Sequence, residues 1–92
     1  MNNLEFHAYA KAEAYREPEA RSLPADRFFD THAHKEHLIV LIETGSFTVD
    51  YGDNQSVFGP GDMCYVAPGV EHTDQAGPDG ASYVLAWRTA DA

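Results

Sequence analysis

Four of the chain's five histidines stand where they could share one piece of chemistry. His32 and His34 are two residues apart on a stretch, Arg27–His34, that reads as a strand. Side chains at i and i+2 of a strand share a face, so both imidazoles can enter one pocket. His72 follows Pro68-Gly69, where the chain re-enters the sheet, and offers a third ring from a neighbouring strand. Neutral imidazole is the commonest metal ligand and suits Zn, Cu, Fe and Ni. Three histidines would leave open positions on a tetrahedral or octahedral ion, the arrangement of a catalytic rather than a structural site. The same rings could instead hydrogen-bond an organic ligand directly, or serve packing alone.

The elements that must position these residues are mostly short strands. Leu38–Ile42 is dense in aliphatic and β-branched residues, as a strand buried on both faces would be. Thr44-Gly45 punctuates it. Ser46–Tyr51 alternates, with Phe47, Val49 and Tyr51 on one face, as in a half-buried strand. Gly52-Asp53-Asn54 is a turn, Gln55–Phe58 a short strand and Gly59–Asp62 a tight turn that Asp62 serves. Met63–Ala67 is a strand, Asp74–Gly80 a loop and Ser82–Arg88 the last strand. Upstream, Glu17–Asp26 holds Pro18 and Pro24 among charges and reads as a loop. Leu4–Tyr9 fits an alternating strand, with an Ala- and Glu-rich helix as the alternative. Strands joined by Gly, Pro, Asn and Asp turns predict an all-β sandwich or barrel without convincing helix.

The string of motifs resembles the cupin superfamily. The first motif of that family is a glycine, His-x-His, three or four residues, a glutamate, six residues and a glycine; here it reads THAHKEHLIVLIETG, residues 31–45. The second is a glycine, five residues, Pro-x-Gly, two residues and His; here it reads GPGDMCYVAPGVEH, residues 59–72. The resemblance implies a small jelly-roll barrel over residues 27–88, commonly a homodimer, with a metal or small-molecule pocket. It makes His32, His34 and His72 the matched ligands of a divalent metal (Fe, Zn, Mn or Ni). The chain departs from the pattern at Leu38, which occupies the glutamate position, at Ala67 for a proline and at Ala76 for an asparagine. Glu36 and His37 flank position 38. His37 would point away from it on an unbroken strand, and a bulge could return it as a fourth ligand. The stretch HAHKEHLIVLIETG also resembles the effector-binding barrel of AraC-type regulators.

Composition bounds the rest. The 92 residues suit one domain, with residues 1–26 as N-terminal strand and loop and 27–88 as barrel core. The formal charge is −9, from fifteen acidic and six basic residues, and the basic ones are scattered. A phosphate backbone would be repelled, so no nucleic-acid partner is expected. The longest apolar run, Leu38–Ile42, falls far short of the roughly 20 residues of a membrane span. No signal peptide is visible, and the single cysteine, Cys64, excludes an internal disulfide, so a cytoplasmic location is expected. Cys64 reads as core, Glu43 as a surface or interface carboxylate, and His7 as isolated and exposed. Phe47, Tyr51, Tyr65, Tyr83 and Trp87 read as mainly core. On the last strand both Tyr83/Leu85/Trp87 and Val84/Ala86 are apolar, which predicts burial on both sides, as across a homodimer. Two functions fit: a small metal-dependent enzyme, with the reaction open, or a non-catalytic binder or sensor of a small molecule that holds no metal.

Overall fold

The structure, a computed structural model, describes residues 1–90. Its elements are α1 (Asn3–Ala12), β1 (Glu19–Leu23), β2 (Phe28–His32), β3 (His37–Asp50), β4 (Gln55–Phe58), β5 (Met63–Val66) and β6 (His72–Arg88). All strand pairings are antiparallel. The two long strands, β3 and β6, pair along nearly their whole length and bend together. Beyond the bend on one side, β1 adds to β6 and β5 adds to β3. On the other side, β2 adds to β6 and β4 to β3. The result is two four-stranded layers that share β3 and β6 and fold over one another, an open jelly roll.

The bend explains why the chain has fewer and longer strands than its punctuation suggests. Leu38–Ile42 and Ser46–Tyr51 are halves of one strand, because the register with β6 resumes after irregularities at Ile42/Thr44 and Gly45/Phe47. Gly45 has φ +76°, and a Cβ there would lie 2.0 Å from the Gly80 carbonyl oxygen. Gly80, at φ +77°, would put a Cβ 2.5 Å from the Leu23 carbonyl oxygen. Both positions need glycine for conformation and for close backbone approach. Asp74–Gly80, expected as a loop, is the first half of β6 for the same reason. Its Gly and Pro residues form the bend of a strand that keeps its partners.

Two other N-terminal expectations are corrected. Leu4–Tyr9 lies in a helix, not a strand. Asn2 caps it: the Glu5 amide donates to Asn2 Oδ1 at 2.8 Å, and the Asn2 amide donates to Glu5 Oε1 at 2.9 Å. This reciprocal box satisfies two amides that a helix start otherwise leaves open. Phe6 and Ala10, four residues apart, form its buried face. Within Glu17–Asp26, residues Glu19–Leu23 form a strand by pairing with Ala81–Leu85. A prolyl, charged segment gives no local sign of that, since the partner supplies the order.

The parity of β3 divides the core. Leu38, Val40 and Ile42 face the interior between the layers, with Val49, Cys64, Val66 and Leu85. Ile39 and Leu41 face outward with Val84 and Ala86, and Phe6 and Ala10 of α1 cover them. The second apolar face, which suggested a homodimer, is therefore buried by the chain's own helix. Among the described residues no helix is long and apolar enough to cross a membrane.

Candidate metal centre

β2 and β6 bring the histidines together. His32 and His72 are direct partners in the ladder. Phe29 opposite Asp74 is the preceding pair, and the register shifts between Phe29 and His32. Residues three apart on a regular strand face opposite ways; this bulge lets Phe29 and His32 line the same cavity. His34 lies beyond the end of β2, not within the strand as expected. Its carbonyl accepts from the Gly69 amide at 2.9 Å, which fastens the His34 backbone to the Pro68-Gly69 turn just before His72. Ring centroids are 4.4 Å apart for His32/His72, 5.0 Å for His32/His34 and 5.1 Å for His34/His72. One ligand nitrogen from each ring falls within 4.8 Å of the other two.

The proton positions on two of these rings follow from their partners. His32 Nδ1 lies 2.6 Å from the Asp30 carbonyl oxygen and His72 Nδ1 lies 2.9 Å from that of Val70. A carbonyl only accepts, so each Nδ1 carries the hydrogen and donates it. Nε2 is then the nitrogen that each ring turns to the cluster, and both Nε2 atoms lie near Asp74 Oδ2. A backbone carbonyl that fixes the tautomer of a ligating imidazole is a recurring feature of metal sites. His72 is 2 % exposed, and His34 stacks edge-on against Trp87 at 5.0 Å. Burial holds the His34 pKa below its ordinary value, and the neighbouring His32 and His72 lower it further. The donor set therefore fits a divalent cation: three imidazoles with one ring nitrogen each in a common cluster, two of them held by a backbone carbonyl at the other nitrogen.

Sequence reasoning missed Asp74. Its Oδ2 lies 3.2 Å from His32 Nε2 and 3.6 Å from His72 Nε2. Burial raises its pKa, against the lowering effect of His72 and His32. The available signal was its place two residues after His72, on the same strand face, but the segment read as a loop.

The other predicted residues lie apart from this cluster. His37 shares the parity of Ile39 and Leu41; its Nδ1 hydrogen-bonds the Tyr65 hydroxyl at 2.6 Å, and the two rings stack. Tyr65 is exposed on that outer face rather than core. Glu36 forms a two-pronged pair with Arg16, at 2.6 and 2.9 Å, and accepts from Thr89 at 3.1 Å. The hydrogen bond from Arg16 is the main reason its pKa falls below the usual range. Glu43 is exposed and accepts from Asn3 Nδ2 at 3.1 Å. Asp62 accepts from the Gly59 amide at 2.8 Å, serving the turn. His7 is half-buried, and its Nδ1 lies 2.9 Å from the Asn3 carbonyl oxygen.

The histidines and Asp74 line a cavity of about 480 Å³ between the layers. Its walls are apolar: Leu38, Val40, Phe47, Val66, Leu85 and Trp87 among them. No lysine or arginine is among the lining residues described. Cys64 is at the wall, and burial pushes its thiol up to about 12. This volume falls in the range of small-molecule pockets, roughly 300–1,000 Å³.

Fold and pocket together define an open jelly roll of the cupin type. The profile of the AraC-like ligand binding domain matches residues 13–89, and the chain belongs to that family. No curated protein matches. Among solved structures, it is similar to a protein of unknown function from Rhizobium leguminosarum, with TM-score 0.75 and 15 % identity over 80 % of this chain and 70 % of that one. It is also similar to a cupin-2 domain protein from Shewanella frigidimarina, with TM-score 0.66 and 18 % identity over 78 % and 70 %. A variant of Bacillus subtilis oxalate decarboxylase gives TM-score 0.68 and 25 % identity over 78 % of this chain, which spans 20 % of that one.

Proposed function

We propose that this protein is a small-molecule-binding cupin, one domain over residues 1–92, with a divalent metal held by His32, His34 and His72. The observation that carries this reading is the pair of locked tautomers. His32 and His72 each donate Nδ1–H to a backbone carbonyl and turn Nε2 toward the same cluster. Such an ion supplies a Lewis acid that polarises an oxygen or carbonyl donor of a bound molecule. The chain's own residues shape what binds: apolar walls take a hydrophobic body, and the histidine end takes one polar head. No lysine or arginine among the described lining residues would pair with a second anionic group. The Bacillus subtilis decarboxylase holds Mn(II) centres, and imidazole also suits Fe, Zn and Ni.

The family match favours a second reading, a ligand sensor without turnover. Glu36 and His37, the acid–base groups that flank position 38, are engaged with Arg16 and Tyr65 and lie apart from the histidine cluster. Metal analysis of tag-free protein, beside the His32→Ala/His34→Ala variant, tests the metal. Near-stoichiometric metal lost in the variant supports it; none in either, after reconstitution with Fe(II), Mn, Ni and Zn, refutes it. Thermal shift against sugars, organic acids and amino acids, with and without metal, separates the two readings. We further propose a homodimer in the cytoplasm. β1, β2, β4 and β5 each have one strand partner among the described residues, leaving edges that a second copy can join. Light scattering in solution gives the oligomeric state, and cell fractionation the location.

A further inference from the structure

The strand registers lay out the cavity row by row. On one layer the His32–His72 pair comes first, then Phe29, Asp74 and Val49 side by side, then Ala76 beside Phe47. On the facing layer Val66, Leu38 and Trp87 form one row and Cys64, Val40 and Leu85 the next, followed by Ile42 beside Tyr83. The layers converge at the bend, where the Phe47 and Tyr83 rings lie 6.0 Å apart. The polar groups gather at the opposite end. His34 stands there against Trp87, and Asp74 Oδ2 is turned back to within 3.2 Å of His32 Nε2. The run of β6 from His72 to Ala76 makes the distance between the two ends roughly 13 Å, at about 3.3 Å per residue.

This gradient selects a class of ligand and a length. Away from the histidine end, the only polar side-chain groups on the walls are the Cys64 thiol and the Tyr83 hydroxyl. A polyol would bury hydroxyls there without partners, each weakening binding about fivefold or more. A second carboxylate would be buried without a cation, since no lysine or arginine lines the cavity among the described residues. A methylene on the same walls strengthens binding about fourfold. With C–C bonds of about 1.5 Å, the run to the bend takes roughly six to eight extended carbons once a head is seated. Resting on the small-molecule reading above, we propose that the ligand is a medium-chain amphiphile with a single oxygen head, a carboxylate or a hydroxyl. The head sits at the histidines and the tail runs along Val40 and Leu85. Phe47 and Tyr83, closing the bend, set the longest tail the cavity admits.

Isothermal titration of tag-free protein, metal-free and Co(II)-reconstituted, with butanoate, hexanoate and octanoate tests this. Affinity is expected to rise about 200-fold from butanoate to octanoate, at about fourfold per methylene. The rise should be the same in both metal states, because the walls supply it. The matching 1-alkanols separate a hydroxyl head from a carboxylate. Octanedioate, the same chain with a second carboxylate, should bind about 100-fold more weakly than octanoate, or worse. Glucose should give no heat. In wild type the gain ends near octanoate; in Phe47→Ala it should continue through decanoate, with a thermal melt checking that the variant folds. If the variant does not fold, the wild-type series still decides the class. A gain that ends at the same length in folded Phe47→Ala overturns the role of that ring. Affinity indifferent to tail length, octanedioate or glucose binding as tightly as octanoate, or octylamine binding more tightly, overturns this ligand class while a small-molecule cavity stands. If no probe binds in either metal state, the small-molecule reading fails and this one with it. Failure to take up Co(II) strikes the metal alone, and the tail series on metal-free protein still tests the ligand.

Discussion

Phe6→Ala tests whether α1 is the cover of the sheet's outer face. Phe6 is fully buried, in contact with a cluster whose other members, Ile39, Leu41, Val84 and Ala86, are at most 4 % exposed. Truncating a fully buried phenylalanine removes its transfer free energy and leaves a cavity, together about 3–5 kcal/mol. A chain of this length has roughly 5–14 kcal/mol of total stability, at about 0.05–0.15 kcal/mol per residue. The substitution therefore removes a large share of it. With about 4–8 °C lost per kcal/mol for a domain of this size, the melting temperature should fall by well over 10 °C. Urea unfolding monitored by tryptophan fluorescence measures the change, since Trp87 is the single reporter. Metal affinity of the folded fraction should not change, because Leu38 and Val40 face the cavity while Ile39 and Leu41 face the helix. A loss below about 1 kcal/mol is what a surface position gives. That result would refute the packing of α1 on β3 and β6, and return the outer face to a second copy.

Gly45→Ala should destabilise strongly and disturb ligand binding, because its Cβ would meet the Gly80 carbonyl oxygen at 2.0 Å; thermal melts and Co(II) titration measure both. Cys64 should resist iodoacetamide in native protein at pH 8 and react after unfolding, as its thiol is pushed up to about 12; rapid native labelling would contradict its burial. Glu36→Gln should flatten the acid limb of the stability curve. The folded pKa of Glu36 lies below its ordinary 4.5, so the unfolded chain takes up that proton first, and stability is lost as pH falls from about 4.5 through the folded value. Denaturant midpoints between pH 3 and 6, for both proteins, give the comparison; parallel curves would show that the pair with Arg16 contributes nothing.

The sequence by itself determined the sheet class and the three histidines of the proposed donor set. Alternation in Ser46–Tyr51, the apolar run Leu38–Ile42 and the Gly/Pro/Asn/Asp turns are local consequences of strand geometry, and β4 and the turns beside it lie where those signals put them. His32, His34 and His72 were legible because their spacing to glycine and proline is a linear pattern. The tertiary structure decided the rest. Asp74 and the segment after it carry loop-forming residues, and only pairing with β2 and β3 makes them a strand. β1 is likewise ordered by β6 rather than by its own composition. The chain's ambiguous first residues became a helix because a cap at Asn2 and an uncovered apolar face on β3 and β6 favour it together. His37 faces outward because β3 runs unbroken through Leu38. Strand parity is a local property, but which residues stand opposite one another is set by partners far away in the chain.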